Sequence, residues 1–144
     1  MDKVLVIGGS GFMGSHVADK LSDAGFSVTI FDSKPSPWLR KDQKMIVGDV
    51  LDQVAVNSAA KGSKHLYHFA GLADIGEAKE NPVETIRLNV MGLSISLQAA
   101  VEAKIERFVC ASTMYVYSTY GSFYKASKQA AEAIIIAYNE SYGL

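Results

Sequence analysis

The sequence predicts one α/β domain, a doubly wound parallel sheet with helices on both faces. Three observations predict it. Short apolar runs alternate with helical patterns from one end to the other, the order that builds a parallel sheet from strand–helix–strand units. The runs are continuously apolar, as in Val4-Leu5-Val6-Ile7, so both faces of each strand must be covered. The first run leads straight into Gly8-Gly9-Ser10-Gly11-Phe12-Met13-Gly14, a glycine turn between a strand and a helix.

The elements follow in order. Lys3–Ile7 is the first strand and Phe12–Ala24 the first helix, closed by Gly25 in the C′ position. Ser27–Phe31 is the second strand and ends at Asp32; the prolines at 35 and 37 make the next stretch, which holds Trp38, a loop. Met45–Val47 is a short third strand before Gly48 and Asp49, and Leu51–Ala60 a weaker helix. His65–Ala70 is the fourth strand, followed by Gly71. Pro82 suits the first turn of a long helix over Val83–Ala103. Arg107–Ala111 is the fifth strand, and the last helix runs from about Phe123 to Ser141. Right-handed crossovers give the strand order 3-2-1-4-5, with the ligand crevice at the carboxyl edge beside the first strand.

Composition narrows the function classes. The 144 residues are 49% apolar and carry a net charge of -1, with no basic block to hold nucleic acid. No apolar run approaches the roughly 18 residues of a membrane span, and the first one is too short for a signal peptide. The single cysteine, Cys110, excludes an internal disulfide and reads as a small buried hydrophobe. His16, His65 and His68 form no metal-ligand pattern, so no metal is expected. These features fit a soluble domain in the cytoplasm.

The glycine turn fits both G-x-G-x-x-G (Gly9, Gly11, Gly14) and G-x-x-G-x-x-G (Gly8, Gly11, Gly14). Backbone N–H groups and a helix N-terminus converge there, which suits the pyrophosphate of a dinucleotide. Asp32 lies 18 positions after Gly14, where an acid accepts from the adenosine ribose hydroxyls. A carboxylate there repels the 2′-phosphate of NADP and favours NAD, although Lys34 is a nearby cation. Asp49 is placed either to accept from the adenine amino group or to cap the following helix. Trp38 either flanks the adenine or is an ordinary loop aromatic.

Tyr124 and Lys128 are four residues apart, on one face of the last helix. A phenol is a poor base at neutral pH, and a neighbouring ammonium together with a cationic nicotinamide ring favours the phenolate. Ser112 and Thr113 end the fifth strand at the same carboxyl edge; each could bond a reacting oxygen or close its own backbone turn.

In this order the motifs resemble the extended short-chain dehydrogenase/reductase family, in its branch of NAD-dependent sugar-nucleotide epimerases and dehydratases. They are Gly8, Gly11 and Gly14; Gly48-Asp49; His68-Phe69-Ala70-Gly71; Asn89-Val90-Met91-Gly92; Ala111-Ser112-Thr113 with Val116-Tyr117; and Tyr124 with Lys128. The resemblance implies a Rossmann-type domain in which Thr113, Tyr124 and Lys128 are catalytic. It implies cofactor contacts at Gly8, Gly11, Phe12, Met13, Gly14, Asp32, Asp49, Val50, Phe69, Ala70, Gly71, Asn89 and Lys128. The implied activity is oxidoreduction at a sugar-nucleotide carbon, most simply epimerisation through a keto intermediate. Two alternatives stay open: a reductase or dehydrogenase acting on another alcohol or ketone, and an NAD-binding module without turnover.

Three departures qualify the resemblance. Family members run to about twice this length, and their later part binds the nucleotide and much of the sugar. Only 11 positions separate Thr113 from Tyr124, a short interval for the family. Met114 and Tyr115 stand where the dehydratases carry an acidic pair, which argues against dehydration. Finally, Ile134, Ile135 and Ile136 spread over more than one helical stripe, and helix 83–103 is similarly apolar. The expectation is a homodimer paired through helices 83–103 and 123–141.

Overall fold

A computed structural model describes the whole chain, Met1–Leu144. The strands are β1 (Lys3–Ile7), β2 (Ser27–Asp32), β3 (Lys44–Val47), β4 (His65–His68) and β5 (Arg107–Cys110). All pair in parallel, in the order β3-β2-β1-β4-β5. The helices are α1 (Phe12–Asp23), α2 (Gln53–Ala60), α3 (Ile75–Glu80), α4 (Pro82–Ile86), α5 (Gly92–Ala103) and α6 (Ser122–Tyr142). The doubly wound sheet and its order are those predicted.

The apolar strands are sandwiched as their composition requires. Val4, Val6, Val28 and Ile30 pack on Ala18 of α1 on one face. Leu5, Ile7, Phe31 and Leu66 meet Val56, Ala60, Ala99 and Ala100 of α2 and α5 on the other. Central β1 is wholly buried from Val4 to Ile7. A third cluster joins Leu93 and Leu97 of α5 to Ala131 of α6. No helix is long and apolar enough to cross a membrane.

Several boundaries differ from those read in the sequence, each for a local reason. The expected helix over 83–103 is α4, then a π-helical turn at Arg87–Met91, then α5. Helix α3 was not expected at all, although Asp74 caps it by accepting from the Glu77 N–H at 2.8 Å. Strand β4 ends at His68, two residues early; the Phe69 N–H makes a last bond to the Ile7 carbonyl at 2.8 Å, and Phe69 and Ala70 then line a cleft. Helix α2 begins at Gln53, and its cap is Asp52, which accepts from Val54 and Ala55 at 3.0 Å each. The capping role considered for Asp49 therefore falls to Asp52. Asp49 instead closes a turn by accepting from Leu51 N–H at 2.9 Å.

The isoleucine run also reads differently in three dimensions. Ile134 and Ile135 pack against the α5–α6 cluster, so one groove takes two of the three. Ile136 stands out at 58% exposure.

Candidate functional site

The glycine turn is shaped by contact distances that only backbone can satisfy. Gly8 has φ +81°, a left-handed conformation, and its N–H donates to the Phe31 carbonyl at 2.8 Å. A β-carbon on Gly8 would overlap the Ala70 backbone, and one on Gly14 would overlap the Gly8 carbonyl. Gly11 differs. A β-carbon there would meet only the Gly8 carbonyl, at an ordinary 3.4 Å. Gly11 is also the N-cap of α1, and no side chain caps that end. The first N–H groups of α1, around Phe12 and Met13, thus point out of the helix with no intrahelical acceptor. Gly11 is the glycine whose missing side chain leaves room for something other than the protein.

That room is a cleft of about 250 Å³ at the carboxyl edge of the sheet. Ile7, Gly8 and Gly11 form its floor and near rim; Phe31, Asp32 and Ser33 follow from β2, and Gly48, Asp49 and Val50 from the end of β3. Phe69, Ala70 and Gly71 close the other side, with Leu88 of the π turn. Eight residues expected at the cofactor, Gly8, Gly11, Asp32, Asp49, Val50, Phe69, Ala70 and Gly71, are brought together here. Phe12 and Met13 lie on the adjoining first turn of α1, both exposed, and Gly14 lies beneath it. Ile7, Phe31, Ser33 and Leu88 were not foreseen. The first three are neighbours of motif residues at strand ends; Leu88 carried no signal, because nothing in the sequence announced the π turn.

Asp32 joins two loops across the mouth of the cleft. One carboxylate oxygen accepts from Ser10 N–H at 3.0 Å and the other from Lys34 N–H at 3.1 Å. Ser10 Oγ in turn donates to the Lys34 carbonyl at 2.7 Å. Each Asp32 oxygen retains a free acceptor position for a hydroxyl in the cleft.

The residues with acid–base chemistry line up along the start of α6. Tyr124 is buried and lies edge-on to Tyr115. Lys128 Nζ donates to the Ala111 carbonyl at 3.0 Å. Thr113 closes its own turn by accepting from Tyr115 N–H at 3.3 Å, and the Ser112 hydroxyl donates to Glu132. Asn89 is buried on the π turn; its Oδ1 accepts from Leu72 N–H at 2.7 Å, and its Nδ2 donates to the Leu72 carbonyl at 2.9 Å and to Ser127 Oγ at 2.9 Å. Ser127 Oγ then donates to the Tyr124 carbonyl at 2.7 Å. Asn89 thus ties the segment after Gly71 to the turn of α6 between Tyr124 and Lys128. None of these residues is among those that line the cleft.

His68 was expected to be unremarkable, and its surroundings are not. It is 3% exposed, stacked on Phe108, and neither ring nitrogen has a hydrogen-bond partner. Burial pushes its pKa down to about 3; the Lys128 ammonium acts the same way, and the Ala70 backbone opposes both. Cys110, its partner in the sheet register, is held above the usual thiol range by burial, against the pull of Lys128 and with Glu132 adding to it. Folded His68 therefore stays neutral over a range in which the unfolded chain, with an ordinary value of 6.5, takes up a proton. Stability from this residue is complete above about pH 6.5 and declines as pH falls toward 3. Lowering the pH from 7 to 5 should remove about 2 kcal/mol through His68. Denaturant titrations at both pH values measure the loss, and His68→Phe should reduce it by that amount.

The sequence profile of the NAD-dependent epimerase/dehydratase family matches residues 4–144. The chain is 34% identical over 126 residues to a UDP-glucose 4-epimerase of Yersinia pestis, an alignment covering 79% of this chain and 37% of that protein. It is 27% identical over 174 residues to a dTDP-glucose 4,6-dehydratase of Streptomyces niveus, covering 99% of this chain and 51% of the relative. The crystal structure of a UDP-glucose 4-epimerase from Brucella ovis in complex with NAD superposes with a TM-score of 0.90 at 27% identity, over 100% of this chain and 50% of that one. The chain thus spans between about a third and a half of the relatives it matches. Sequence, motif order and backbone agree, and the chain belongs to the NAD-dependent epimerase/dehydratase family.

Proposed function

We propose that this chain is the cofactor-binding and acid–base part of an enzyme that epimerises a sugar nucleotide through a keto intermediate. The observation that carries the reading is the shared carboxyl edge of the sheet. The glycine cleft opens there from β1, β2 and β4, and Thr113 follows β5 there, with Tyr124 and Lys128 on the helix behind it. The choice of epimerisation over dehydration is supported by Met114 and Tyr115, which offer no carboxylate beside Thr113. A cytoplasmic site of action goes with this reading.

The cleft fits NAD on its own geometry. The uncapped start of α1 supplies N–H donors for the pyrophosphate, and the bare Gly11 leaves space for it. The free acceptor positions of Asp32 take the adenosine ribose hydroxyls, with Asp49 and Val50 toward the adenine and Phe69, Ala70 and Gly71 along the opposite wall. When bound, NAD supplies the reversible hydride transfer at the sugar carbon. The chain's own part is the proton. Tyr124 takes the proton of the sugar hydroxyl and later returns it, Thr113 hydrogen-bonds the same oxygen, and Lys128 supplies a positive charge beside the phenol and a donor for the cofactor's second ribose. Asn89 holds that turn of α6 in place through Ser127.

We also propose a twofold pairing across α5 and α6. Met91 at 57%, Ile136 at 58% and Tyr142 at 60% exposure lie along these helices and their junction with the π turn. Sedimentation at micromolar protein should give a dimer, and a soluble monomer ends this proposal.

Cofactor binding is read by calorimetry with NAD and NADP. NAD should bind more tightly, and Asp32→Ala should narrow the difference. Gly11→Val should abolish binding and leave the fold intact, because its side chain has space only where the ligand goes. NADP binding at least as tight removes Asp32 from the ribose, and retained affinity in Gly11→Val removes the glycine turn.

Turnover needs a chain with its complete substrate region. There, Tyr124→Phe should lower kcat by about 10²–10⁴-fold with NAD affinity nearly unchanged. A loss under about threefold removes Tyr124 as the acid/base.

A further inference from the structure

The face of the sheet that α2 covers changes character along its strands. Toward the carboxyl edge it is apolar, with Leu5, Ile7 and Phe31 packed against α2 and α5. Toward the amino edge the same face carries Lys3 on β1, Ser27 and Thr29 on β2, and Lys44 on β3. The register sets them side by side, Lys3 against Ser27 and Thr29 against Lys44. Strands covered on both faces are expected to be apolar on both. Four polar positions together on a covered face therefore need a reason.

The reason is a second cavity, of about 380 Å³, at the opposite end of the strands from the glycine cleft. The four residues line it together with Lys61 and Ser63, from the turn after α2, and no carboxylate lines it. That turn is held over the start of β1. Lys64 N–H donates to the Lys3 carbonyl at 2.9 Å, and the Lys3 ammonium lies 3.7 Å from where a β-carbon of Gly62 would stand. The acids nearest in sequence are engaged elsewhere, Asp2 with Lys64 at 3.3 Å and Asp42 with Arg40 at 3.0 Å. Lys3, Lys44 and Lys61 enter no ion pair.

Ser63 is an independent sign of a ligand. It is 7% exposed; its N–H donates to the Ala60 carbonyl at 3.1 Å, but its hydroxyl bonds no protein group and opens on the cavity. A buried hydroxyl without a partner is costly unless something else completes it. Water could complete the hydroxyl, but it would leave three ammonium groups gathered around it without a counter-charge.

We propose that this cavity binds the phosphate of a small phosphomonoester. The three lysines supply the charge, and the hydroxyls of Ser27, Thr29 and Ser63 donate to the phosphate oxygens. A dianion with three terminal oxygens uses that many charges and donors, whereas a carboxylate would leave several unused. Ala59 and Met45, also in the lining, give the organic part of the ester an apolar wall. The C-terminal end of α2 lies here and by itself disfavours an anion; Lys61, its C-cap residue, carries the compensating charge. The site stands apart from the cofactor reading, because four residues of β1, about 13 Å, separate Lys3 from the floor of the glycine cleft.

The test titrates the chain with phenyl phosphate, followed by calorimetry and by backbone ¹⁵N shifts, with benzoate and potassium chloride at matched ionic strength as controls. Phenyl phosphate should bind and shift the amides of Lys3, Ser27, Lys44, Gly62 and Ser63, and benzoate should bind at least about tenfold more weakly. Ser63→Ala should keep the melting temperature and weaken phenyl phosphate about tenfold, the size of one hydrogen bond to a charged group. Lys44→Gln, a change at an exposed position, should weaken it at least about threefold and flatten its salt dependence. Shifts confined to the glycine turn would mean that the phosphate enters the other cleft, and overturn the proposal. So would shifts reproduced by chloride, equal affinity for benzoate, absence of binding, or affinity unchanged in Lys44→Gln. If Ser63→Ala fails to fold, Lys44→Gln and the shift map decide the matter. Loss of NAD binding in Gly11→Val with phenyl phosphate binding retained would show that the two sites are separate, and failure of NAD to bind the wild type leaves this test unaffected.

Discussion

Three backbone segments meet at Gly8, and the rest of the structure is arranged around their approach. The Gly8 carbonyl lies where a β-carbon of Gly14 would be, so α1 descends directly onto the end of β1. The Ala70 backbone lies where a β-carbon of Gly8 would be, so the chain leaving β4 crosses close to the same point. Strand order β2-β1-β4 puts these segments side by side, and the glycines let them touch. The cleft is the gap left above that contact, and the start of α1 opens into it because α1 could come no closer with side chains in between. Dispersion and hydrophobic burial hold the sheet together, but this steric allowance decides where it opens.

The far end of the site depends on a different kind of bond. Leu72, Asn89, Ser127 and Tyr124 are joined by short hydrogen bonds in a region closed to water. In such surroundings an unmade bond is costly and a made one is directional. The chain after Gly71, the π turn and the first turns of α6 therefore keep one relative arrangement, although they are far apart in sequence. Packing of Leu93 and Leu97 against Ala131 does the rest by apolar contact. At the other end of α1, by comparison, the ion pairs of Arg40 with Asp23 and Asp42 lie exposed and add little.

How much of this was legible in the sequence follows from the range of the forces involved. The sheet, its order and the glycine turn rest on local patterns: continuous apolar runs, glycines at fixed offsets, and an acid closing the second strand. Each is visible within about ten residues, and each corresponds to a place in the structure. The cap at Asp52 and helix α3 are also local; Asp74 and Glu77, three residues apart, form the capping pattern that starts α3. The π turn and the burial of His68 are not local. They depend on what Asn89 finds across 38 residues at Ser127, and on the His68 ring of β4 stacking on Phe108 of β5. Ile134 and Ile135 show the same limit: a run that looks overly apolar in one dimension is partly absorbed by a groove on α5.

The π turn carries a consequence for how this region tolerates change in chain length. A π turn holds one residue more per turn than an α-helix, so Arg87–Met91 amounts to a single inserted residue within an otherwise regular helix. Removing any one residue from it would let α4 and α5 fuse into one straight rod. The two flanks would then rotate by about 100° relative to each other, the angle of one helical step. Either Leu93 and Leu97 would leave their groove, or Asn89 would swing away from Leu72 and Ser127. A deletion of one residue at this place would thus be worse than most substitutions in it, whereas the exposed loop at 33–42 has no such phase to lose. The helix keeps an irregularity because two periodicities, one serving the core and one serving the site, have to be satisfied along a single axis.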